Sequence, residues 1–153
     1  MGVEGQGYKV AIEILNEGRI GIAAQMTGLA MGAFEKAISY CLNDRKQFGK
    51  AVGEFQGMQF QFAQEAMEIE AARLLVYNAA RLKEAGLPFV KEAAFAKLYG
   101  IFSWRILMQP ASQVAQRVSG LSIEQMGGVG FTREVGIEKY WRYRSLTLLS
   151  LTI

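Results

Sequence analysis

The chain has 153 residues, enough for one domain with a substantial core, and its 51% hydrophobic and 20% charged residues are typical of a globular protein. The net charge of +3 is too small, and the basic residues too dispersed, to indicate nucleic-acid binding. The sequence contains no histidine, which excludes Ser-His-Asp and Cys-His catalytic sites and histidine-ligated zinc within these residues.

The first predicted helix fills the N-terminal part of the chain and ends near Asp44. One of its faces carries small and apolar side chains at spacings of three and four. The residues on this face are Ala23, Met26, Ala30, Ala33, Ala37 and Cys41. The alanine-rich face predicts close packing against another helix, and it favours a buried thiol over a nucleophile for Cys41. The segment 45–55 holds two glycines and no helical period, so it is predicted to be a connecting loop.

A second helix is predicted from Gln56 to Ala85, because Gly86 supplies a C-terminal stop and Pro88 follows it. Its apolar stripe is predicted to contain Met58, Phe62, Ala66, Ile69, Val76 and Ala80. The carboxylates of Glu65 and Glu68 fall outside this stripe, so we expect them on a solvated face.

A third helix is predicted to begin near Phe89, to break over the apolar stretch 100–110 and to resume over 111–126. A shorter fourth helix is predicted over 135–144, and the apolar tail 145–153 is β-prone and atypical. These segments predict an all-α fold, an antiparallel four-helix bundle in a single domain over 1–153, with an irregular break near 100–110. No run reaches the roughly 18 to 20 apolar residues of a membrane span, and we expect no targeting peptide.

Two segments have the composition of an anion site. The sequence 124-EQMGGVG-130 ends a predicted helix with three glycines, whose N–H groups can approach a phosphate because no Cβ intervenes. It lacks the G-x-G-x-x-G spacing and follows a helix instead of a strand, so it is not a dinucleotide-domain fingerprint. The loop 45-RKQFGK-50 offers an arginine and a lysine for a phosphate and a phenylalanine for a ring. Taken alone, each segment also fits a plain helix end followed by a turn.

Four motifs in one order give these segments a common interpretation. The chain resembles the C-terminal helical domain of the acyl-CoA dehydrogenase family, most closely its short/branched-chain members, over about residues 5–99 and 111–142. The motifs are 7-GYKVAIEILNEGRIGIAAQMTGLAMGAFEKA-37, 45-RKQFGK-50, 55-FQGMQFQFAQEAMEIEAARLLVYNAARLKEAG-86, and 124-EQMGGVGFTRE-134 with 138-EKYWR-142. The resemblance implies a helical bundle in a homo-oligomeric flavoenzyme that removes two hydrogens from the α and β carbons of an acyl-CoA.

The resemblance also implies site residues. Those for FAD are Arg45, Phe48, Gln56, Glu124, Gln125, Met126, Gly127 and Gly128. Arg45 would meet the pyrophosphate, and the 124–128 segment would lie along the adenosine side of an FAD that the neighbouring subunit mainly binds. Asn16 and Arg19 would contact the CoA moiety of the acyl-CoA substrate. Electron-transferring flavoprotein is the implied electron acceptor, and the mitochondrial matrix, or the cytoplasm of a bacterium, is the implied location.

The catalytic base of the family has no counterpart at its expected positions. The usual position follows a Tyr-Arg segment near the C-terminal end, and here no carboxylate occurs after Glu138. Some relatives place the base one position before the arginine that matches Arg19, where this chain has Gly18, and Glu17 would point about 100° away around the helix. We therefore assign no catalytic residue and expect no turnover from these residues alone. The alternative is a catalytically inactive helical oligomerisation or binding module derived from the family.

Overall fold

The computed structural model describes residues 2–97 and 111–149. The predicted break over 100–110 lies outside the described residues, as do residues 150–153 of the tail.

Helices dominate the described chain, and the all-α bundle predicted from the sequence is confirmed. In chain order the elements are α1 (Gly7–Asn43), β1 (Lys46–Gln47), β2 (Lys50–Ala51), a 3₁₀ turn (Val52–Glu54), α2 (Gln56–Glu84), α3 (Val90–Lys97), α4 (Ala111–Met126), a second 3₁₀ turn (Gly127–Phe131) and α5 (Glu138–Leu149). The two short strands pair antiparallel and form the only sheet within the described ranges. No helix in those ranges is long and apolar enough to cross a membrane.

The end of α2 follows the sequence signal. Gly86 has a left-handed φ of +67°, which a residue without a Cβ adopts at little cost. Its N–H donates to the carbonyl of Lys83 at 3.0 Å, and the N–H of Leu87 donates to the carbonyl of Leu82 at 3.0 Å. This pair of bonds satisfies two carbonyls that the helix leaves unpaired, so α2 stops where Gly86 and Pro88 predicted.

The predicted face of α1 forms the centre of the core. All six of its residues are at most 1% exposed. The most extensive contact between described elements joins α1 to α4. Val114, Ala115 and Val118 of α4 form one hydrophobic cluster with Ala23, Met26 and Ala30 of α1. Because the α1 side chains at the contact are mostly alanine, the two helices can lie close together.

The buried stripe of α2 differs from the predicted one. Its buried residues are Phe62, Glu65, Ile69, Ala72, Val76 and Ala79. The expectation that Glu65 is solvated is wrong, since its exposed fraction is 0%, whereas Ala66 and Ala80 of the predicted stripe are exposed. Apolar residues also occupy a second face of α2, which includes Phe60 and Met67. Residue type alone therefore does not identify the face that packs.

The prediction of a β-prone tail is wrong for residues 145–149, because α5 continues to Leu149. A strand needs a partner that supplies its backbone hydrogen bonds, and within the described ranges the only strands are those of the hairpin. Helix continuation satisfies these groups within the segment. An ion pair four residues apart, Arg142 with Glu138 at 2.9 Å, supports the first turns of α5.

Candidate functional site

The loop after α1 is a tight hairpin that presents an aromatic ring to solvent. Phe48 and Gly49 connect β1 to β2 with φ values of +53° and +84°. Two successive left-handed residues are what a two-residue hairpin turn of type I′ requires. For glycine this conformation costs little, but for phenylalanine it is strained. The Phe48 side chain is 93% exposed, so the strain is not explained by burial of its ring.

Arg45 lies against the glycines that follow α4. Its Nη1 donates a hydrogen bond to the carbonyl oxygen of Gln125, 80 residues away in sequence. Gly127 lies behind the guanidinium, with φ +69°, and a Cβ placed there would be 3.0 Å from Nη2 of Arg45. Glycine is thus favoured at 127 both by the backbone conformation and by the close approach of Arg45. The structure brings Arg45, Gln125 and Gly127 into one surface, next to the exposed Gly128.

The side chains of Gln125 and Met126 face the protein interior. The two residues as a whole are 4% and 1% exposed, so they offer a ligand almost no surface of their own. The Gln125 carbonyl accepts a second hydrogen bond from Sγ of Cys41 at 3.3 Å, and its side-chain Nε2 donates to Oε1 of Glu65 at 2.5 Å. Gln125 therefore links α1, α2 and the Arg45 guanidinium.

Glu65 is a buried carboxyl group with a shifted protonation equilibrium. Its pKa is raised from 4.5 to about 7, chiefly by burial; the Gln125 hydrogen bond and the charge of Arg117 act in the opposite direction, and the charge of Glu68 adds to the rise. Glu68 is not solvated as we expected, because its side chain is 11% exposed and pairs with Arg117 of α4. Burial also raises the pKa of the Cys41 thiol. The sequence signal for Glu65 was its position between Phe62 and Ile69, which are seven residues apart on the buried stripe.

Two other residues predicted for the cofactor, Glu124 and Gln56, are exposed. Glu124 is exposed and lines a cleft of about 650 Å³ between α4 and α5, together with Phe131 and Trp141. Arg45 is not among the residues that line this cleft. Gln56 is exposed at the first residue of α2. Glu124 thus lines a cleft to which Arg45 does not contribute.

The two residues predicted for CoA contact each other in the N-terminal half of α1. Nη1 of Arg19 donates to Oδ1 of Asn16 at 2.6 Å, and Asn16 is buried. Lys97 of α3 lies close enough for Arg19 to act on it: burial lowers the pKa of Lys97, and the Arg19 charge lowers it further. Sequence reasoning missed Lys97, because only tertiary packing brings α3 beside α1. At about 1.5 Å per residue, Arg19 lies roughly 35 Å along α1 from its C-terminal end.

The carboxylate nearest the alternative base position is engaged elsewhere. Oε2 of Glu17 pairs with Nζ of Lys83 on α2 at 2.9 Å. Gly18 is exposed, and nothing lies within 4 Å of a Cβ placed there. In the described ranges no group of three or more His, Cys, Asp or Glu residues could hold a metal ion.

Comparison with known proteins matches nearly the whole chain to one family. Residues 5–149 match the family described as "Acyl-CoA dehydrogenase, C-terminal domain". Over 142 residues, 93% of this chain, it is 56% identical to the "Probable short/branched chain specific acyl-CoA dehydrogenase" of Dictyostelium discoideum and 54% identical to the mitochondrial short/branched chain enzyme of Rattus norvegicus. It covers 32% and 30% of those proteins, so it spans about a third of their length.

A solved structure supports the same match at the level of the fold. The butyryl-CoA dehydrogenase of Megasphaera elsdenii superimposes with a TM-score of 0.83 at 38% sequence identity. The superposition covers 95% of this chain and 35% of that chain.

Proposed function

Because this chain belongs to the acyl-CoA dehydrogenase family and matches its C-terminal domain, we propose that it provides the helical part of an FAD-dependent dehydrogenase acting on short or branched-chain acyl-CoA. The observation that carries the proposal is the contact between Arg45 and the backbone at Gln125 and Gly127. It assembles, from two distant segments, a cation and a glycine backbone of the kind that binds a pyrophosphate.

The residues at this surface fit FAD. Nη1 of Arg45 is held by the Gln125 carbonyl, so the guanidinium is fixed in orientation and has further N–H groups for an anion. The exposed Gly128 leaves the backbone beside it uncovered. Phe48 offers an exposed ring, and the strain in its backbone is typical of functional positions. The chemistry supplied by bound FAD is acceptance of the hydride that leaves the acyl chain, and Arg45 would hold the cofactor in place.

The acyl-CoA contacts are assigned to the N-terminal half of α1. Arg19 and Lys97 place two cations close together, which favours an anionic group such as the phosphates of CoA. Asn16 holds the Arg19 guanidinium in one orientation at 2.6 Å. Because Arg19 lies in the N-terminal half of α1 and Arg45 just after its C-terminal end, we propose that they serve two different active sites in a homo-oligomer, with Arg45 reaching the FAD of a neighbouring copy.

An exposed apolar face of α2 supports assembly. Phe60, Met67 and Leu74 recur every seven residues and are 65%, 63% and 59% exposed. A stripe of this spacing on a helix is typical of a helix–helix interface. We propose electron-transferring flavoprotein as the electron acceptor of the assembled enzyme. The proposed location is the mitochondrial matrix in a eukaryote and the cytoplasm in a bacterium.

Flavin retention tests the proposal. Residues 5–149 would replace the matching segment of the Megasphaera elsdenii butyryl-CoA dehydrogenase, so that the rest of a dehydrogenase is present. Arg45→Ala should release FAD at a lower denaturant concentration or after fewer rounds of dialysis than the parent chimera. Arg81→Ala is the matched control, because it removes an exposed guanidinium near the far end of α2. Equal FAD retention by the Arg45 and Arg81 variants would contradict the proposed flavin contact.

A further inference from the structure

Glu65 and Gln125 form a buried polar pair that is incompletely hydrogen-bonded. One bond joins them, from Nε2 of Gln125 to Oε1 of Glu65. Their other oxygens, Oε2 of Glu65 and Oε1 of Gln125, are both buried and have no hydrogen-bond partner among the described residues. An ionised carboxylate has no hydrogen to donate, so two buried acceptors would remain unpaired. A protonated carboxyl group has one O–H, and a single further bond to Oε1 of Gln125 would satisfy both oxygens.

The charged groups around Glu65 are engaged with other partners. From α4, Arg117 pairs with Glu68, the neighbouring carboxylate on α2. From the loop after α1, Arg45 donates to the Gln125 carbonyl, and from α1 the Cys41 thiol donates to the same oxygen. The burial that raises the pKa of Glu65 to about 7 acts in the same direction as the unpaired oxygens, since both favour the neutral form.

We propose that Glu65 carries its proton in the folded chain and forms an acid–amide pair with Gln125 that is held by two hydrogen bonds. This pair positions the 124–128 segment and, through the Gln125 carbonyl, the Arg45 guanidinium. Glu65 is a positioning residue, since its side chain is fully buried and acts on the ligand surface through Gln125. Its link to flavin binding rests on the proposed function, whereas its effect on the 124–128 segment does not. Loss of the proton should loosen this segment while leaving the rest of the bundle folded.

Hydrogen exchange in the full 153-residue chain tests the local effect. Protection factors correct for the pH dependence of intrinsic exchange, and they would be measured for amides 125–130 at about pH 6 and about pH 8.5, on either side of the Glu65 titration. The parent should lose about tenfold in protection at the higher pH, the equivalent of one hydrogen bond. Glu65→Gln should show no such loss, because its amide can donate to Oε1 of Gln125 at either pH. Glu70→Gln, on the exposed face of the same helix, should behave like the parent.

A spectroscopic measurement identifies the proton itself. At about pH 6 the infrared difference between the parent and Glu65→Gln should contain the carbonyl band of a protonated carboxylic acid, and the band should disappear as the pH rises through 7. Its absence at pH 6, or a pH-dependent loss of protection in Glu65→Gln equal to that of the parent, would overturn the proposal.

Flavin retention separates the local effect from the proposed function. In the chimera described above, the parent should retain FAD less well at the higher pH, and Glu65→Gln should retain it equally at both. If Arg45→Ala keeps its FAD, the flavin contact fails, while the exchange and infrared results still decide whether Glu65 positions the segment. If Arg45→Ala loses FAD but the parent and Glu65→Gln retain it equally at both pH values, the link from Glu65 to the flavin is wrong.

Discussion

Replacement of Gly127 by alanine should destabilise the chain through two separable effects. The first is the backbone: φ at this residue is +69°, and a left-handed conformation costs an L-amino acid roughly 1 to 2 kcal/mol. The second is contact, because the new Cβ would lie 3.0 Å from Nη2 and 3.1 Å from Cζ of Arg45. The guanidinium must move, and this weakens its hydrogen bond to the Gln125 carbonyl. Hydrogen bonds to charged groups contribute about 1.5 to 3 kcal/mol, and we take the lower part of this range because Arg45 is partly exposed.

Gly86 provides a matched control for the backbone effect. Its φ is +67°, and nothing lies within 4 Å of a Cβ placed there. Gly86→Ala should therefore cost roughly 1 to 2 kcal/mol, and Gly127→Ala about 1.5 to 2 kcal/mol more. Urea unfolding followed by far-UV circular dichroism measures both, provided that the m-value is unchanged.

A double-mutant cycle assigns the difference to Arg45. In an Arg45→Ala background the contact is absent, so the two glycine substitutions should cost the same free energy within about 0.5 kcal/mol. The reasoning is refuted if Gly127→Ala and Gly86→Ala are equally destabilising in the parent. It is also refuted if their difference persists after Arg45 is removed.

Three further results are expected. Neutral Glu65 stabilises the fold below pH 4.5, and this contribution is lost as the pH rises through about 7. Since one pKa unit is worth about 1.4 kcal/mol, the free energy of unfolding measured in urea titrations should fall by at most about 3 kcal/mol across this range. Glu65→Gln should remove most of the fall. Gly130→Ala should cost about 1 to 3 kcal/mol in the same assay, because its Cβ would lie 2.5 Å from the backbone carbonyl oxygen of Ile123. A Cβ at Gly128 would meet nothing within 4 Å, so Gly128→Ala should cost less than about 0.5 kcal/mol. The Cys41 thiol should react with a thiol reagent only as fast as the chain opens, because it is 0% exposed and burial raises its pKa; rapid reaction in native buffer would contradict its placement.

Local signals in the sequence predicted the helices well. The C-terminal end of α2 was predictable because Gly86 can adopt a left-handed φ and Pro88 cannot continue a helix. The buried face of α1 was predictable because alanine and cysteine recur on one side while charged residues occupy the other. In both cases the sequence signal lies within a few residues along the chain.

Features that depend on packing between helices were not predictable in the same way. Glu65 looks like a solvent-facing residue by its type, and only the position of α4 places it in the interior beside Gln125. The contact between Arg45 and Gln125 joins residues 80 positions apart. Residue chemistry alone left both segments open to interpretation as plain turns, and the family resemblance supplied the expectation that they share a surface.

The length of α1 sets a spacing rule for the whole protein. This helix of 37 residues runs past α2, α3 and α4 as one continuous rod. Removing one residue between Arg19 and Cys41 would turn one end by about 100° relative to the other, so the alanine face could stay in register on only one side of the deletion. Adding seven residues would nearly preserve the face, with a drift of about 20°, but would move the two ends apart by about 10.5 Å. We therefore expect the part of α1 between Arg19 and Cys41 to tolerate substitutions at many positions but no insertion or deletion of residues.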